Sequence, residues 1–483
     1  MDQNQTPYAD AISHYAKKHY IRLGTPGHQT SDSSHPELVD YFGRQLLSLD
    51  VQTMVDGIDL GPFPTSLDLA QQLAAQAWGA HRTWFLTNGA SMGNLMACLA
   101  LRAIGERVVL QRSVHSSVID GLAFSGLDAQ FVYPSVDTHL GIANGITPEQ
   151  LRESLSSAVN PVGAYVVSPS YFGAVADIGE LANVAHQFGV PLIVDEAWGS
   201  HFGFHPEVPH NALHFGADIV ISSTHKLAGS LSQSAMLHLG VGPFTQTLEP
   251  LLDRAFHSLQ STSVNSILLA SLDIARKTMS IHGHDYISHS LNAMRHLRDD
   301  IIHRGRFRDD GPDLMAHEDV VALDPLRIAI NMQTGGISGY EAKAILFDEY
   351  RIHCELATGN TLLLLCGAGV TPNVSAISEA LHALPHTATT EEIGLDLPQP
   401  GISHMTVRAA YFSETELVPA SGAVGRISAD SLAAYPPGIP NLLPGEEITK
   451  ETIDFLVTTA NAPFGHVRGC SAEDMSVFRV VKN

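Results

Sequence analysis

Between residues 67 and 290, short apolar runs alternate with helix-patterned stretches, and no other feature restricts the fold of this chain as strongly. The runs Val108 to Leu110, Ala164 to Val167, Leu192 to Val194 and Ile219 to Ile221 are apolar at consecutive positions. A half-buried strand would alternate polar and apolar residues. Consecutive apolar positions instead call for strands covered on both faces, as in a parallel sheet flanked by helices. One intervening segment shows the helical pattern: Leu181, Val184, Ala185 and Phe188 fall on one stripe, and Gly189 and Pro191 end it. The expected class is α/β, with a mainly parallel sheet in a large domain over residues 41–290. Residues 1–40 read as an arm, punctuated by Gly24, Pro26 and Gly27 and ending in the Ser-rich TSDSSHPE, with regular structure starting only after it. A smaller α+β domain is expected over 291–395. The polar, Pro-rich HTATTEEIGLDLPQPG then leads into a C-terminal domain over 402–483.

With 44 % hydrophobic residues in 483, the chain can bury a large core. No apolar run approaches the roughly 18 residues of a membrane span, and the opening MDQNQTPYAD has no secretory pattern. A cytoplasmic protein is expected. Cys98, Cys354, Cys366 and Cys470 are scattered without a CxxC pair, so reduced thiols are expected, with neither disulfides nor a thiolate metal site. With 27 basic and 50 acidic residues the formal charge is -23, which argues against nucleic acid or an anionic membrane as partner. A negative field weakly favours a cationic substrate.

Pyridoxal phosphate asks four things of a protein: a lysine for its aldehyde, an acid for its pyridine nitrogen, a phosphate cradle, and a group against the ring. Lys226, in SSTHK, follows an apolar strand and so lies at a carboxyl edge, where open α/β sheets place their ligands. Asp195 ends the strand PLIVD and faces the same edge. Alone, an acid at a strand end is most often a helix cap or a surface charge; the downstream lysine reverses that reading. A carboxylate there keeps the pyridine nitrogen protonated and the ring an electron sink. LTNGASMGN precedes a helix expected from about Met92 to Leu101, and Ala90, Ser91 and Met92 lie where helix-start amides bind phosphate. His201 and His205 have chelating spacing, but Gly203 and Pro206 weaken the helix this needs, so no metal is expected.

The motifs TPGH (25–28), NGAS (88–91), SVHSSV (113–118), SPSYFG (168–173), VDEAWGSHF (194–202), STHKLAGSLSQ (223–233) and YPPGIPNLLPGE (435–446) together resemble the bacterial ornithine/lysine/arginine decarboxylases. The resemblance spans nearly the whole chain and matches the short form, without an N-terminal wing domain. It implies fold type I, the aspartate aminotransferase-like fold, with pyridoxal 5′-phosphate as cofactor. On that resemblance Lys226 forms the Schiff base, His225 contacts phosphate or substrate carboxylate, and His115 stacks on the ring. Asp195 is the pyridine partner, with Ala197 and Trp198 beside ring and phosphate. Ser91 and Ser223 are phosphate ligands. Thr262 and Ser263 reach a neighbouring subunit's phosphate, which implies at least a homodimer. Glu446 lies near the distal cation of a basic amino acid.

The chain departs from the pattern at Ser116, where relatives carry lysine, and at Ala90, which replaces a common threonine. Val264 and Asn265 also depart, as does IDLGPFPTS (58–66), which lacks a second acid and a histidine near Leu60 and Pro62. The expected reaction is decarboxylation of arginine, lysine or ornithine to the amine and CO2. Transamination or oxidative deamination of a related amino acid stays open, as does a non-catalytic homologue that binds cofactor or polyamine.

Overall fold

The computed structural model describes residues 1–30, 35–52, 54–138, 140–386, 397–435, 438–461 and 465–482. Most of the linker HTATTEEIGLDLPQPG, part of TSDSSHPE and two residues of YPPGIPNLLPGE lie outside the described residues. The centre is a seven-stranded sheet built from β1 (Arg82–Leu86), β2 (Arg107–Gln111), β3 (Asp128–Val132), β4 (Pro161–Val167), β5 (Leu192–Asp195), β6 (Ile219–Ser222) and β7 (Ala235–Leu239). The spatial order is β1-β7-β6-β5-β4-β2-β3. β2 to β6 pair in parallel, while β7 runs antiparallel to both β1 and β6.

The described helices that shape the site are α1 (Pro7–Lys17), α2 (Gly89–Arg102), α3 (Ser116–Ser125), α4 (Ile178–Gln187), α5 (Thr224–Leu227) and α6 (Ser266–Arg304). Two apolar layers explain the consecutive apolar positions of the strands. Val108, Leu110, Ile193, Ile219 and Ile221 pack with Met92 and Met96 of α2 and Val118 and Leu122 of α3. Their chain neighbours Val109, Leu192, Val194 and Val220 pack on the other face with Leu181, Val184 and Ala185 of α4. Adjacent residues of one strand point to opposite faces, so a strand sandwiched between helices must be apolar throughout.

The arm expectation needs correction, because regular structure begins at Pro7. In α1, Tyr8 and Ile12 are buried, in one cluster with Leu269, Leu272 and Met279 of α6. The Tyr8 and Ala9 backbone N–H groups donate to Asp273 Oδ2, and Arg276 donates to the carbonyls of Gln3 and Gln5. An acid at a helix start complements both the free amides and the dipole. These partners come from α6, far along the chain. The boundary expected near 290 falls inside α6, a 39-residue helix that begins on the Asn265 side-chain cap and ends at Gly305 in the left-handed region. Beyond it, β8 (Arg308–Asp309), β9 (Arg327–Asn331), β10 (Leu356–Ala357) and β11 (Thr361–Leu365) form an antiparallel sheet ordered β8-β9-β11-β10. The pairing of Ala322–Leu323 with Ala174–Val175 ties this part to the loop after β4. The C-terminal part folds around its own cluster of Leu442, Ile448, Leu456, Met475 and Phe478. Among the described residues no helix is long and apolar enough to cross a membrane.

Candidate active site

β5 and β6 are neighbours, with Asp195 opposite Ile221 in the register, so their carboxyl ends open side by side. Asp195 is the last residue of β5, and Lys226 lies in the short helix α5 just after β6. The Asp195 carboxylate is 4 % exposed. Its Oδ2 accepts from Asn94 Nδ2 and its Oδ1 from the Ala197 backbone N–H, both at 3.0 Å. A carboxylate has about four acceptor positions, so two donors leave room for a third.

The Lys226 Nζ stands 3.7 Å from the centroid of the Trp198 ring. Burial brings its proton affinity down to about 8, Asp195 and Glu355 opposing the shift and Arg327 reinforcing it. A buried amine of this kind is a better nucleophile at neutral pH than a surface lysine. Trp198 is itself fixed from two sides. Tyr171 packs on it with ring centroids 4.5 Å apart, and the Arg327 guanidinium lies 5.4 Å from its ring. Arg327 donates to the Trp198 carbonyl and to Asp324 Oδ2, both at 2.8 Å. Asp324 also faces His201 Nε2 at 3.2 Å; burial raises its proton affinity, but His201, Arg327 and the Leu326 N–H together outweigh that and hold its carboxyl down at about 2. His201 and His205, which share a chelating spacing, therefore have separate partners, since His205 Nε2 faces Ser288 Oγ.

Beside this pair, α2 starts at Gly89 with a positive φ of 73°, and Asn88 offers no side-chain cap. The half-buried Ala90 and Ser91 carry its first-turn amides, the arrangement that receives an anion. Met92 does not face this crevice: it is 1 % exposed within the apolar layer under the sheet. Ser223, 3 % exposed, precedes α5 without capping it. His225 Nδ1 donates to the Ser234 carbonyl at 2.8 Å, which leaves its lone pair on Nε2; burial pushes its proton affinity down. His115 caps α3, its Nδ1 accepting from the Ser117 backbone N–H at 3.2 Å. Burial likewise lowers its proton affinity, and both Asp195 and Lys226 act on it electrostatically. A lysine, an acid, a histidine and an uncapped helix start thus converge, and these residues fit pyridoxal phosphate. The group would meet Lys226 at its aldehyde, Asp195 at its ring nitrogen and the α2 start at its phosphate.

Three expected residues lie apart from this cluster. Thr262 and Ser263 are exposed on the loop before α6. Glu446, expected to meet the substrate, is instead 5 % exposed and held bidentate by Arg112, Nη1 to Oε1 at 2.6 Å and Nη2 to Oε2 at 2.8 Å, with the Leu443 N–H adding a third bond. Its charge is spent inside the fold. Several residues of the site escaped the sequence reading: Asn94, Tyr165, Ser117, Tyr171, Arg327 and Glu355. A polar Asn94 on the otherwise apolar face of α2, and a charged Arg327 opening the strand RIAIN, were the available signals.

Fold and site together define a fold type I pyridoxal-phosphate enzyme. The family model described as Orn/Lys/Arg decarboxylase, major domain, matches residues 6–373, and that of the C-terminal domain matches residues 389–464. The chain belongs to the Orn/Lys/Arg decarboxylase family of pyridoxal-phosphate-dependent amino-acid decarboxylases. It is 31 % identical to an arginine decarboxylase of Bacillus subtilis over 488 residues, covering all of this chain and 99 % of the relative. An arginine decarboxylase of Bacillus anthracis is also 31 % identical, over 100 % of this chain and 98 % of the relative. The fold matches a Francisella novicida lysine decarboxylase with a TM-score of 0.81 at 20 % identity, over 99 % of this chain and 81 % of that one.

Proposed function

We propose that the chain removes the α-carboxyl group of a basic amino acid, arginine first, to give the amine and CO2. The observation that carries this reading is the convergence of Lys226 and Asp195 from adjacent strand ends under Trp198. Bound between them, pyridoxal phosphate supplies the electron sink that accepts the bonding pair left at Cα when CO2 departs. Asp195, fixed by donors from Asn94 and Ala197, would accept the N–H of the ring nitrogen. Trp198, pinned by Tyr171 and Arg327, walls the crevice and keeps water from the reacting centre. The vacated position at Cα must receive a proton. Lys226, with an affinity of about 8, is mostly protonated at neutral pH and can deliver it. His225 is neutral there and is the weaker donor.

Glu355 is the better placed acid for the distal cation. It is half-buried, hydrogen-bonded to the Tyr171 hydroxyl at 3.0 Å, and near enough to act on both Lys226 and Arg327. The Bacillus relatives are arginine decarboxylases, which favours arginine over lysine or ornithine. A second copy of the chain would cover the exposed Thr262 and Ser263 and the outward Tyr41 and Phe63, 84 % and 77 % exposed. Incubation of purified protein and pyridoxal phosphate with arginine, lysine and ornithine tests the reaction. Stoichiometric CO2 and agmatine from arginine are expected. A 2-keto acid or peroxide in their place, or no CO2 from any of the three, overturns the reading. Sedimentation at micromolar concentration should give a dimer or larger.

A further inference from the structure

Asn94 lies at the meeting point of the two groups that would face the cofactor ring, and it is 1 % exposed. Its Nδ2 donates to Asp195 Oδ2 at 3.0 Å and to Ser117 Oγ at 2.9 Å. Its Oδ1 accepts from the Tyr165 hydroxyl at 2.8 Å. An amide can be turned either way on shape alone, and chemistry decides this one. A carboxylate has no proton to give, so the nitrogen must face Asp195. Tyr165, kept protonated by burial, supplies the donor that the oxygen needs. Both amide protons are then committed, one to Asp195 and one to Ser117.

Having accepted at Oγ, Ser117 turns its own proton toward His115 Nδ1, 2.8 Å away. The Ser117 backbone N–H points at the same nitrogen. Two donors on Nδ1 make it the lone-pair atom, so the neutral imidazole carries its hydrogen on Nε2. The donors therefore run one way: Tyr165 to Asn94, Asn94 to Ser117, Ser117 to His115, with a branch from Asn94 to Asp195.

We infer that Asn94, oriented by Tyr165, is a positioning residue that fixes the Asp195 carboxylate and the His115 tautomer together. The inference rests on the assignment of Asp195 and His115 to the cofactor, but its first readout needs no cofactor. Nitrogen-15 histidine spectra of the full-length apoprotein, with the His115 signals identified by their loss in His115→Gln, report the tautomer directly. The native protein should show the Nε2–H form. Asn94→Leu should add a minor Nδ1–H form, because the Ser117 hydroxyl is then free to turn while its backbone N–H still favours the Nε2–H form. Tyr165→Phe, which keeps the ring and its packing, should shift the tautomer in the same direction by less. The dissociation constant for pyridoxal phosphate should rise about tenfold in Asn94→Leu, the loss expected for one charge-assisted bond to Asp195.

A native tautomer in both variants overturns the inference, whatever happens to their unfolding midpoints. If Asn94→Leu does not fold, Tyr165→Phe alone decides. A tautomer shift in a native protein that binds no pyridoxal phosphate would uphold the proton network while refuting the functional reading.

Discussion

Arg327 and Trp198 are joined twice, by a hydrogen bond of 2.8 Å from Nη2 to the tryptophan carbonyl and by a guanidinium 5.4 Å from its ring. Arg327 opens β9 in the second sheet, whereas Trp198 follows β5 in the first, so the contact ties the small sheet to the wall of the site. Gly173 closes over it with a φ of +92°, where an added Cβ would stand 3.1 Å from Arg327 Cδ. Replacing Arg327 by methionine would leave the buried Asp324 carboxyl with only His201 and the Leu326 N–H. A loss of about 3–5 kcal/mol is expected for breaking a buried pair, readable in urea unfolding. Gly173→Ala should be harmed through both its φ and the contact with Arg327.

Lys226 should react with pyridoxal phosphate in the apoprotein along a pH curve with its midpoint near 8, because burial favours the uncharged amine. The sign follows from the charge type: a lowered affinity in a base means proton loss at lower pH, so reactivity rises as pH climbs through about 8. At pH 7 roughly a tenth of the amine is already neutral, against well under one part in a thousand for an ordinary lysine. Stopped-flow absorbance across pH measures it. Arg327→Met should move the midpoint upward, since a like charge is removed, and Lys226→Ala should abolish the signal.

Glu355→Gln keeps the shape and removes the charge. The kcat/KM for arginine should fall by about 10- to 100-fold, as expected for one hydrogen bond to a charged group, while pyridoxal phosphate still binds. Steady-state rates of agmatine release, beside a cofactor titration, check both halves. An unchanged kcat/KM would remove Glu355 from substrate recognition.

Glu446→Gln separates a structural role from substrate binding. Arg112 would remain buried with half its partner gone, so the unfolding free energy should fall by about 3 kcal/mol or more. The KM for arginine should stay within about twofold, a change worth under ~0.5 kcal/mol. A large rise in KM with native stability would return Glu446 to the substrate site.

The sheet and the placement of Lys226 and Asp195 at one of its edges are legible because both are local. Consecutive apolar residues report strands covered on two faces; Asp195 ends one such strand and Lys226 lies shortly after another. Ala90 and Ser91 are expected just before the helix and lie in its first turn. The helix was expected from Met92 and begins at Gly89, and Met92 itself turns into the core. The arm was misread because α1 draws its stability from Asp273 and Arg276, which no local pattern near residue 7 reveals.

By itself, then, the order of residues determined that helices would cover a mainly parallel sheet and that an amine and an acid would leave it at one edge. Backbone periodicity and strand ends dictate that much. Tertiary structure alone decided which charges remain available for chemistry. Arg112 and Glu446 are separated by most of the chain and neutralise each other; Asn94, Tyr165 and Ser117 come from three different elements and, with His115 at the start of the Ser117 helix, share one line of protons. A side chain's charge is free or spent according to what packs against it, and that contact is a property of the fold.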